Sequence, residues 1–331
     1  MRVAKLMFPV GAASFLLLLL LNPNLGEAQS YQMRIATHQP AGDSVGMAVE
    51  KLADLINTES RGRIKAKSWT GGSLGSERVL CEMTRGDSLE VCTSLQTGMA
   101  RYVPELAVFA LPYLYTDSGQ MLKALKTLRP VLDDLLAPHN IKPLGYIDLG
   151  IRHMINRKRP IYTVADMKGL KIRVPNPLYG GMINVLGASA STISWTEVYT
   201  SLQTGVIDGL EASATLFYSN RMYEQAKYIS KTYHSSAGHC FMTNRKWYDK
   251  LPKDLQEVVF NAAEEASKYQ NNVEKDFENK VWEKLSREGV QINEVKDLKE
   301  FSDKCVAFRE KYVKENGPNF EVLYKQVLAM R

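Results

Sequence analysis

The sequence predicts an α/β fold with two lobes and a cleft between them. Strand-like and helix-like segments alternate in two series, glycines separate them, and a stretch without proline or glycine, residues 253–288, follows. Strand–helix alternation is typical of a mainly parallel sheet covered by helices. The 331 residues suffice for two domains of ordinary size. The composition, 45% hydrophobic and 24% charged, is that of a folded globular protein.

The first series occupies the segment before residue 95. Residues 31–37 alternate apolar and polar side chains, which predicts a strand. Asp43 is placed to cap a helix whose apolar face has helical spacing, and Gly62 ends that helix. Strands at residues 63–69 and 89–94, with a helix at 76–85 between them, complete this series.

The middle of the chain connects the two series. Residues 107–115 are apolar, which predicts buried backbone between the lobes, and residues 118–136 are predicted to form a helix. Two strands follow, at residues 141–147 and 151–155, separated by Asp148, Leu149 and Gly150.

The second series repeats the alternation. The sequence predicts strands at residues 170–174, 191–195 and 206–211, a helix after Pro177, and a helix at residues 196–204.

Residues 253–288 carry apolar side chains at three- and four-residue steps, which predicts one helix longer than average. A coiled coil is the alternative, but Asn271, Asn272 and the broad apolar face count against a strict heptad. We expect one rigid helix that crosses both lobes.

Residues 1–28 have the parts of a secretory signal peptide: a positive start with Arg2 and Lys5, an apolar segment at residues 6–21, and small residues ending at Ala28. An uncleaved anchor is the alternative, but a span needs about 20 apolar residues. The sequence therefore predicts export to the periplasm with cleavage near Ala28.

The charge distribution counts against a nucleic-acid-binding protein, and the cysteine spacing counts against a metal site. The net charge of +6 is spread along the chain without a basic block, so we expect no nucleic-acid partner. Cys81, Cys92, Cys240 and Cys305 have no metal-site spacing. Buried thiols are the favoured interpretation, and a Cys81–Cys92 disulfide is the alternative, since the periplasm permits disulfides.

Two arginines, Arg152 and Arg173, lie on or beside short apolar strands. A guanidinium stays charged at physiological pH, so each must find an anion or open onto a solvent-filled cleft. Ile172 and Val174 point to the opposite strand face from Arg173. If they pack on a core, Arg173 faces the cleft, where its planar fork suits a carboxylate. An ion pair with an internal acid is the alternative.

Residues 150–156, 166–175 and 197–211 together resemble the solute-binding proteins of TRAP transporters, the DctP family, and the resemblance extends over residues 31–325. It implies a two-lobed periplasmic-binding-protein-like fold that closes over a small organic acid and delivers it to membrane permease subunits driven by an ion gradient. We expect a monomer without catalytic residues, cofactor or metal.

The resemblance also implies the binding residues. Arg173 would hold the ligand carboxylate, Arg152 would help, and Trp195 would line the pocket. Further expected contacts are His38, Arg78, Gln96, His239 and Glu211. Leu95, Leu210 and Ala212 stand where relatives have polar residues, which predicts a less polar pocket. The motifs do not identify the acid.

The expected lobes are interleaved. Lobe I would comprise residues 29–149 and 238–277, and lobe II residues 150–237 and 278–331.

Two other functions compete. Ser73, in a Gly-x-Ser-x-Gly segment between a strand and a helix, matches a hydrolase nucleophile, with His139, His153, His234 or His239 as the base; it comes too early for a hydrolase sheet. The other is a periplasmic ligand sensor.

Overall fold

The computed structural model describes residues 30–330, so the signal peptide predicted for residues 1–28 lies outside it. The strands are β1 (Tyr31–Ala36), β2 (Ile64–Trp69), β3 (Val91–Leu95), β4 (Ile141–Asn156), β5 (Lys171–Val174), β6 (Ser189–Thr192), β7 (Gly209–Ser213), β8 (Tyr228–Asn244) and β9 (Gln291–Glu294). The helices are α1 (Ser44–Glu59), α2 (Glu77–Arg85), α3 (Gln96–Met99), α4 (Ser118–Thr127), α5 (Arg129–Leu136), α6 (Pro177–Val185), α7 (Val198–Thr204), α8 (Ala214–Ser219), α9 (Arg245–Lys250), α10 (Lys253–Arg287), α11 (Leu298–Glu315) and α12 (Pro318–Leu328).

The strands form one mixed sheet in the order β2-β1-β3-β8-β4-β7-β5-β6, and β9 pairs with β8. One half contains the parallel strands β1, β2 and β3, and the other contains the parallel strands β5, β6 and β7. The long antiparallel strands β4 and β8 connect the halves: β8 pairs with β3 of the first half, β4 pairs with β7 of the second, and β4 and β8 pair with each other. Two parallel series therefore meet along one antiparallel pair.

The connecting strands differ from the prediction. The structure has one continuous β4 where the sequence predicted two strands, and its register with β8 shifts between Asp148 and Ile151. Gly150, at φ +76°, takes up that irregularity. β8 was not predicted from the sequence, and it includes the run of small residues between His234 and His239. Small residues give a weak strand signal, so pairing with β3 and β4 decides the conformation.

Two further predictions were wrong in their boundaries. The predicted helix at residues 118–136 is divided into α4 and α5, with Pro130 in the first turn of α5, where its missing N–H is tolerated. The strand predicted at residues 191–195 ends at Thr192, and residues 195–197 form a 3₁₀ turn that leads into α7. Both changes leave the predicted order of elements intact.

The long helix is present as α10, with 35 residues. Near its start, Asp254 pairs with Arg63 and Glu264 with Arg129. Farther along, Glu274 accepts a hydrogen bond from Thr215, and Trp282 packs against the ring of His153. α10 thus contacts residues that flank both halves of the sheet.

Buried apolar side chains form two clusters, and each draws on both halves of the sheet. All four cysteines are buried free thiols in the first cluster, so Cys81 and Cys92 are not joined. Over residues 30–330, no helix combines the length and apolarity needed to cross a bilayer.

Candidate functional site

A cleft opens where the carboxyl ends of the parallel strands from both halves converge, the usual ligand site of open α/β sheets. Its outer part is a cavity of about 330 Å³ between the loops after β1 and β2 and residues 195–224. His38 and Trp195 line this cavity and also an inner pocket of about 20 Å³. That inner volume corresponds to roughly one or two water molecules.

The inner pocket is lined from both halves of the sheet. The first half and the end of β8 supply His38, Gln39, Glu77, Leu95 and His239, and the second half, with the bend of β4, supplies Leu149, Arg152, Arg173, Pro175, Trp195 and Leu216.

Arg173 is a buried cation that lines this pocket. Ile172 and Val174 are fully buried in the core, as strand alternation requires, and Arg173 points the other way. Its Nε donates to the Ile193 carbonyl at 2.8 Å, and its guanidinium lies 5.3 Å from the Trp195 ring centroid. Within residues 30–330, no carboxylate forms an ion pair with Arg173. Burial lowers its pKa to about 10, so it remains cationic at neutral pH.

Arg152 lines the pocket too but already has an acidic partner. Its Nε donates to Glu211 Oε2 at 2.5 Å and its Nη2 to the Glu211 backbone oxygen at 2.8 Å. His234 Nε2 lies 3.3 Å from the same carboxylate oxygen. Burial alone would raise the pKa of Glu211, but the charge of Arg152 holds it below its usual value. Glu211 therefore positions Arg152 and does not itself line the pocket.

Glu77 is the pocket residue that sequence reasoning missed. Its Oε1 accepts hydrogen bonds from Ser94 Oγ at 2.7 Å and from the Leu95 N–H at 2.8 Å. Gly98 makes room for this carboxylate, since a Cβ there would lie 2.4 Å from Oε1. The sequence held a signal for this role, because Glu77 is the first residue of α2 and directly precedes the predicted contact Arg78. The side chain of a first helical residue can turn back toward the adjacent strand.

Two buried histidines stand beside Glu77. The ring centroids of His38 and His239 are 5.7 Å apart, and the Nδ1 atoms of both are buried without a hydrogen-bond partner in the described part of the chain. Burial lowers the pKa of both, that of His239 to about 3, so both rings are neutral. Burial raises the pKa of Glu77, but the hydrogen bonds from Ser94 Oγ and the Leu95 N–H, together with the adjacent polar imidazole rings, hold it below its usual value, so Glu77 is ionised at neutral pH.

Other predicted site residues lie outside this constellation. Gln96 is buried next to the pocket and donates to the His239 carbonyl at 3.3 Å. Arg78 is exposed on α2 and lines neither cavity. Leu210 and Ala212 are fully buried in the apolar core, so they do not change the polarity of the pocket as expected. The apolar side chains that do line the pocket include Leu95 and Leu216.

The alternative nucleophile finds no support in the geometry. Ser73 is exposed in the loop after β2, and no hydrogen bond joins its hydroxyl to a histidine within residues 30–330. His153 packs instead between the rings of Tyr233 and Trp282. In the same part of the chain, no cluster of three histidine, cysteine or acidic side chains is arranged to hold a metal ion.

Comparisons with known proteins agree with this geometry. The DctP family profile, bacterial extracellular solute-binding protein family 7, matches residues 35–316. A solute-binding protein of Chromohalobacter salexigens is 30% identical over 320 residues, which cover 96% of this chain and 95% of the relative. The 2,3-diketo-L-gulonate-binding periplasmic protein YiaO of Escherichia coli is 30% identical over 280 residues, 83% of this chain and 84% of the relative.

Solved structures extend the match to the fold. A TRAP periplasmic solute-binding protein from Chromohalobacter salexigens with bound D-glucuronate has a TM-score of 0.87 at 29% identity, covering 90% of this chain and 100% of that one. One from a Sulfitobacter species with bound β-D-galacturonate has a TM-score of 0.86 at 29% identity, covering 90% and 99%. The predicted two-lobed α/β fold is thereby confirmed. With its arginine-lined cleft between two parallel series, the chain belongs to the DctP family of extracellular solute-binding proteins.

Proposed function

We propose that this protein captures a sugar acid in the periplasm and presents it to the membrane permease of a TRAP transporter. The observation that carries the proposal is Arg173, a buried cation in the pocket that has no carboxylate partner among residues 30–330. A buried unpaired charge is costly unless a partner arrives. The relatives with bound glucuronate and galacturonate support a sugar acid as that partner.

The ligand carboxylate would accept hydrogen bonds from the guanidinium of Arg173, whose fork suits a planar anion. Arg152, held by Glu211, would supply a second contact without adding net charge, since the pair is neutral. Trp195 would cover one face of the ligand. The buried Nδ1 atoms of His38 and His239 are suited to hydroxyl groups at the other end.

Binding would require the lobes to move, because an inner pocket of about 20 Å³ is far too small for a sugar acid. We place the lobe boundaries at residues 149/150 and 237/238. Two features support them: the register shift of β4 after Asp148, and the end of the β3–β8 pairing at His239, beside Gly238, while β8 stays paired with β4 on both sides of that point. Hinge closure around ligands is a common response in two-lobed binding proteins.

The remaining parts of the proposal concern the whole chain. It would be exported, cleaved near Ala28 and active as a monomer that binds its solute without converting it. An ester-hydrolysis assay of the purified protein and of Ser73→Ala addresses the last point: activity lost in the variant would favour the esterase instead.

The test of the proposal is calorimetric titration with uronates and aldonates, after mass spectrometry of whatever copurifies. We expect Arg173→Ala to weaken binding at least about 100-fold, since hydrogen bonds to charged groups contribute ~1.5–3 kcal/mol each. Arg287→Ala, which removes an exposed arginine of α10, is the matched control and should leave the affinity unchanged. Unchanged affinity in Arg173→Ala would refute the carboxylate site.

A further inference from the structure

The inner pocket carries fixed charges of opposite sign at two places. Arg173 is positive, and Arg152 and Glu211 neutralise each other through their direct ion pair. The remaining charge is the carboxylate of Glu77, which lines the pocket from the first half of the sheet. The pocket therefore offers one site for an anion and one site that repels it.

The position of Glu77 is built into the surrounding structure. Its Oε1 takes both of its hydrogen bonds, from Ser94 and from the backbone of Leu95, and the missing side chain of Gly98 leaves room for it. Oε2 has no hydrogen bond from the described residues and is the oxygen left for a ligand. An ionised carboxylate only accepts hydrogen bonds, so the ligand must bring a donor.

The neighbours of Glu77 reinforce this requirement. The groups that face it are His38, His239 and, across the pocket, Arg173 and Arg152, of which Arg152 is already neutralised by Glu211. Both histidines are neutral and buried, so neither supplies a positive charge that would accept a second anionic group. A carboxylate at this end of a ligand would lie beside Glu77 and among the buried side chains of His38, His239 and Arg173, where like charges repel more strongly than in bulk water.

We propose that Glu77 makes the cleft selective for monoanionic hydroxy acids and excludes the dicarboxylates of the same carbon skeleton. This inference rests on the proposed function and adds the discrimination within it: the sugar acid has one carboxylate, at Arg173, and an uncharged hydroxyl donor at Glu77. Rejection by an unfavourable contact at one end is a usual means of specificity.

The experiment is calorimetric titration near pH 7.5 with D-glucuronate and D-galacturonate and with their dicarboxylate counterparts, D-glucarate and galactarate. We expect the wild-type protein to bind at least one monocarboxylate and to bind its dicarboxylate counterpart at least about 100-fold more weakly. Glu77→Gln removes the charge and keeps the shape of the side chain. It should therefore reduce the ratio of monocarboxylate to dicarboxylate affinity at least tenfold, through a gain in dicarboxylate affinity.

Glu82→Gln is the matched control, because it removes the same charge from the exposed side of the same helix. It should leave the ratio unchanged. Equal wild-type affinity for a monocarboxylate and its dicarboxylate counterpart, or an unchanged affinity ratio in Glu77→Gln, would refute the selectivity proposed for Glu77. Either result would leave the proposed ligand class intact. Binding of no sugar acid by the wild-type protein would refute the proposed ligand class as well. If Glu77→Gln does not fold, the wild-type ratio still decides.

Discussion

At the scale of single residues, the two predicted arginines have different electrostatic positions. Among the described residues, Arg173 donates a single hydrogen bond, to the Ile193 carbonyl, and its charge faces the cleft without an acidic partner. Arg152 is paired with Glu211, and both side chains are almost fully buried. The first arginine can therefore change its partner when a solute binds, whereas the second is part of the folded framework.

Replacing Arg152 should therefore affect stability as well as binding. We expect Arg152→Ala to lower the free energy of unfolding by about 3–5 kcal/mol, because it leaves Glu211 buried without its cation. Urea unfolding of the ligand-free protein measures this. The double variant Arg152→Leu/Glu211→Leu removes both charges and should recover part of the loss. A loss below about 1 kcal/mol in the single variant would contradict the assignment.

The sequence predicted some of the site and not the rest, for identifiable reasons. Arg173 was predictable because strand alternation turns it away from Ile172 and Val174 and because the family resemblance favoured a ligand contact over an internal ion pair. Glu77 was not, since its role depends on a contact with Ser94 and Leu95 that crosses from α2 to β3. Leu210 does not make the pocket less polar as expected, because strand alternation puts it on the core side of β7.

At the scale of elements, the order of helices and strands followed from local pattern, whereas β8 depended on tertiary pairing. Residues 235–238 are all small, and their strand conformation comes from pairing with β4 on one side. The long helix α10 was predictable because its pattern is local and uninterrupted. Where local preference is weak, neighbouring elements determine the structure.

The start of α1 offers a test at this scale. Alanine at Gly46 would normally favour the helix by about 1 kcal/mol, but its Cβ would lie 2.0 Å from the Pro40 carbonyl oxygen. We expect Gly46→Ala to lower the free energy of unfolding by about 1–3 kcal/mol, and to displace the loop that lines the outer cavity.

Gly42→Ala is the control, since nothing lies within 4 Å of a Cβ there. Chemical denaturation should give it wild-type stability or slightly more. Equal stability of the two variants would show that α1 is not held against the loop at Pro40.

At the scale of the whole molecule, a buried polar network joins three helices behind the cleft. Glu274 of α10 accepts hydrogen bonds from Ser44 Oγ of α1 at 2.6 Å and from Thr215 Oγ1 of α8 at 2.5 Å. Asp43, at the start of α1, accepts one from Ser219 Oγ of α8 at 2.9 Å. Burial, with the nearby carboxylate of Asp43, raises the pKa of Glu274 to about 8.

This raised pKa makes stability depend on pH in a defined direction. The folded protein holds the Glu274 proton more tightly than the unfolded chain, whose glutamate has a pKa near 4.5. The stabilisation is complete below about pH 4.5 and is lost as the pH rises through 8. We expect Glu274→Gln, which mimics the protonated form, to match the wild-type Tm at pH 5 and to exceed it at pH 9.

Differential scanning calorimetry of both proteins across this range gives the comparison. Burial also raises the pKa of Asp148 to about 6. Because Asp148 is present in both proteins, its contribution to the pH dependence of Tm largely cancels in the comparison. A Tm difference that stays constant from pH 5 to pH 9 would contradict the raised pKa of Glu274, because it would show no change in the protonation of Glu274 on unfolding across this range.

The contact between Trp195 and Arg173 gives the protein an optical property. Indole emission depends on the polarity and charge around the ring, and Trp195 is the tryptophan that lines both cavities, whereas Trp69, Trp247 and Trp282 line neither. A solute that reaches the guanidinium changes the surroundings of one chromophore among the four. The molecule thus carries its own fluorescent indicator of occupancy, and stopped-flow recording can time capture and release without an added label.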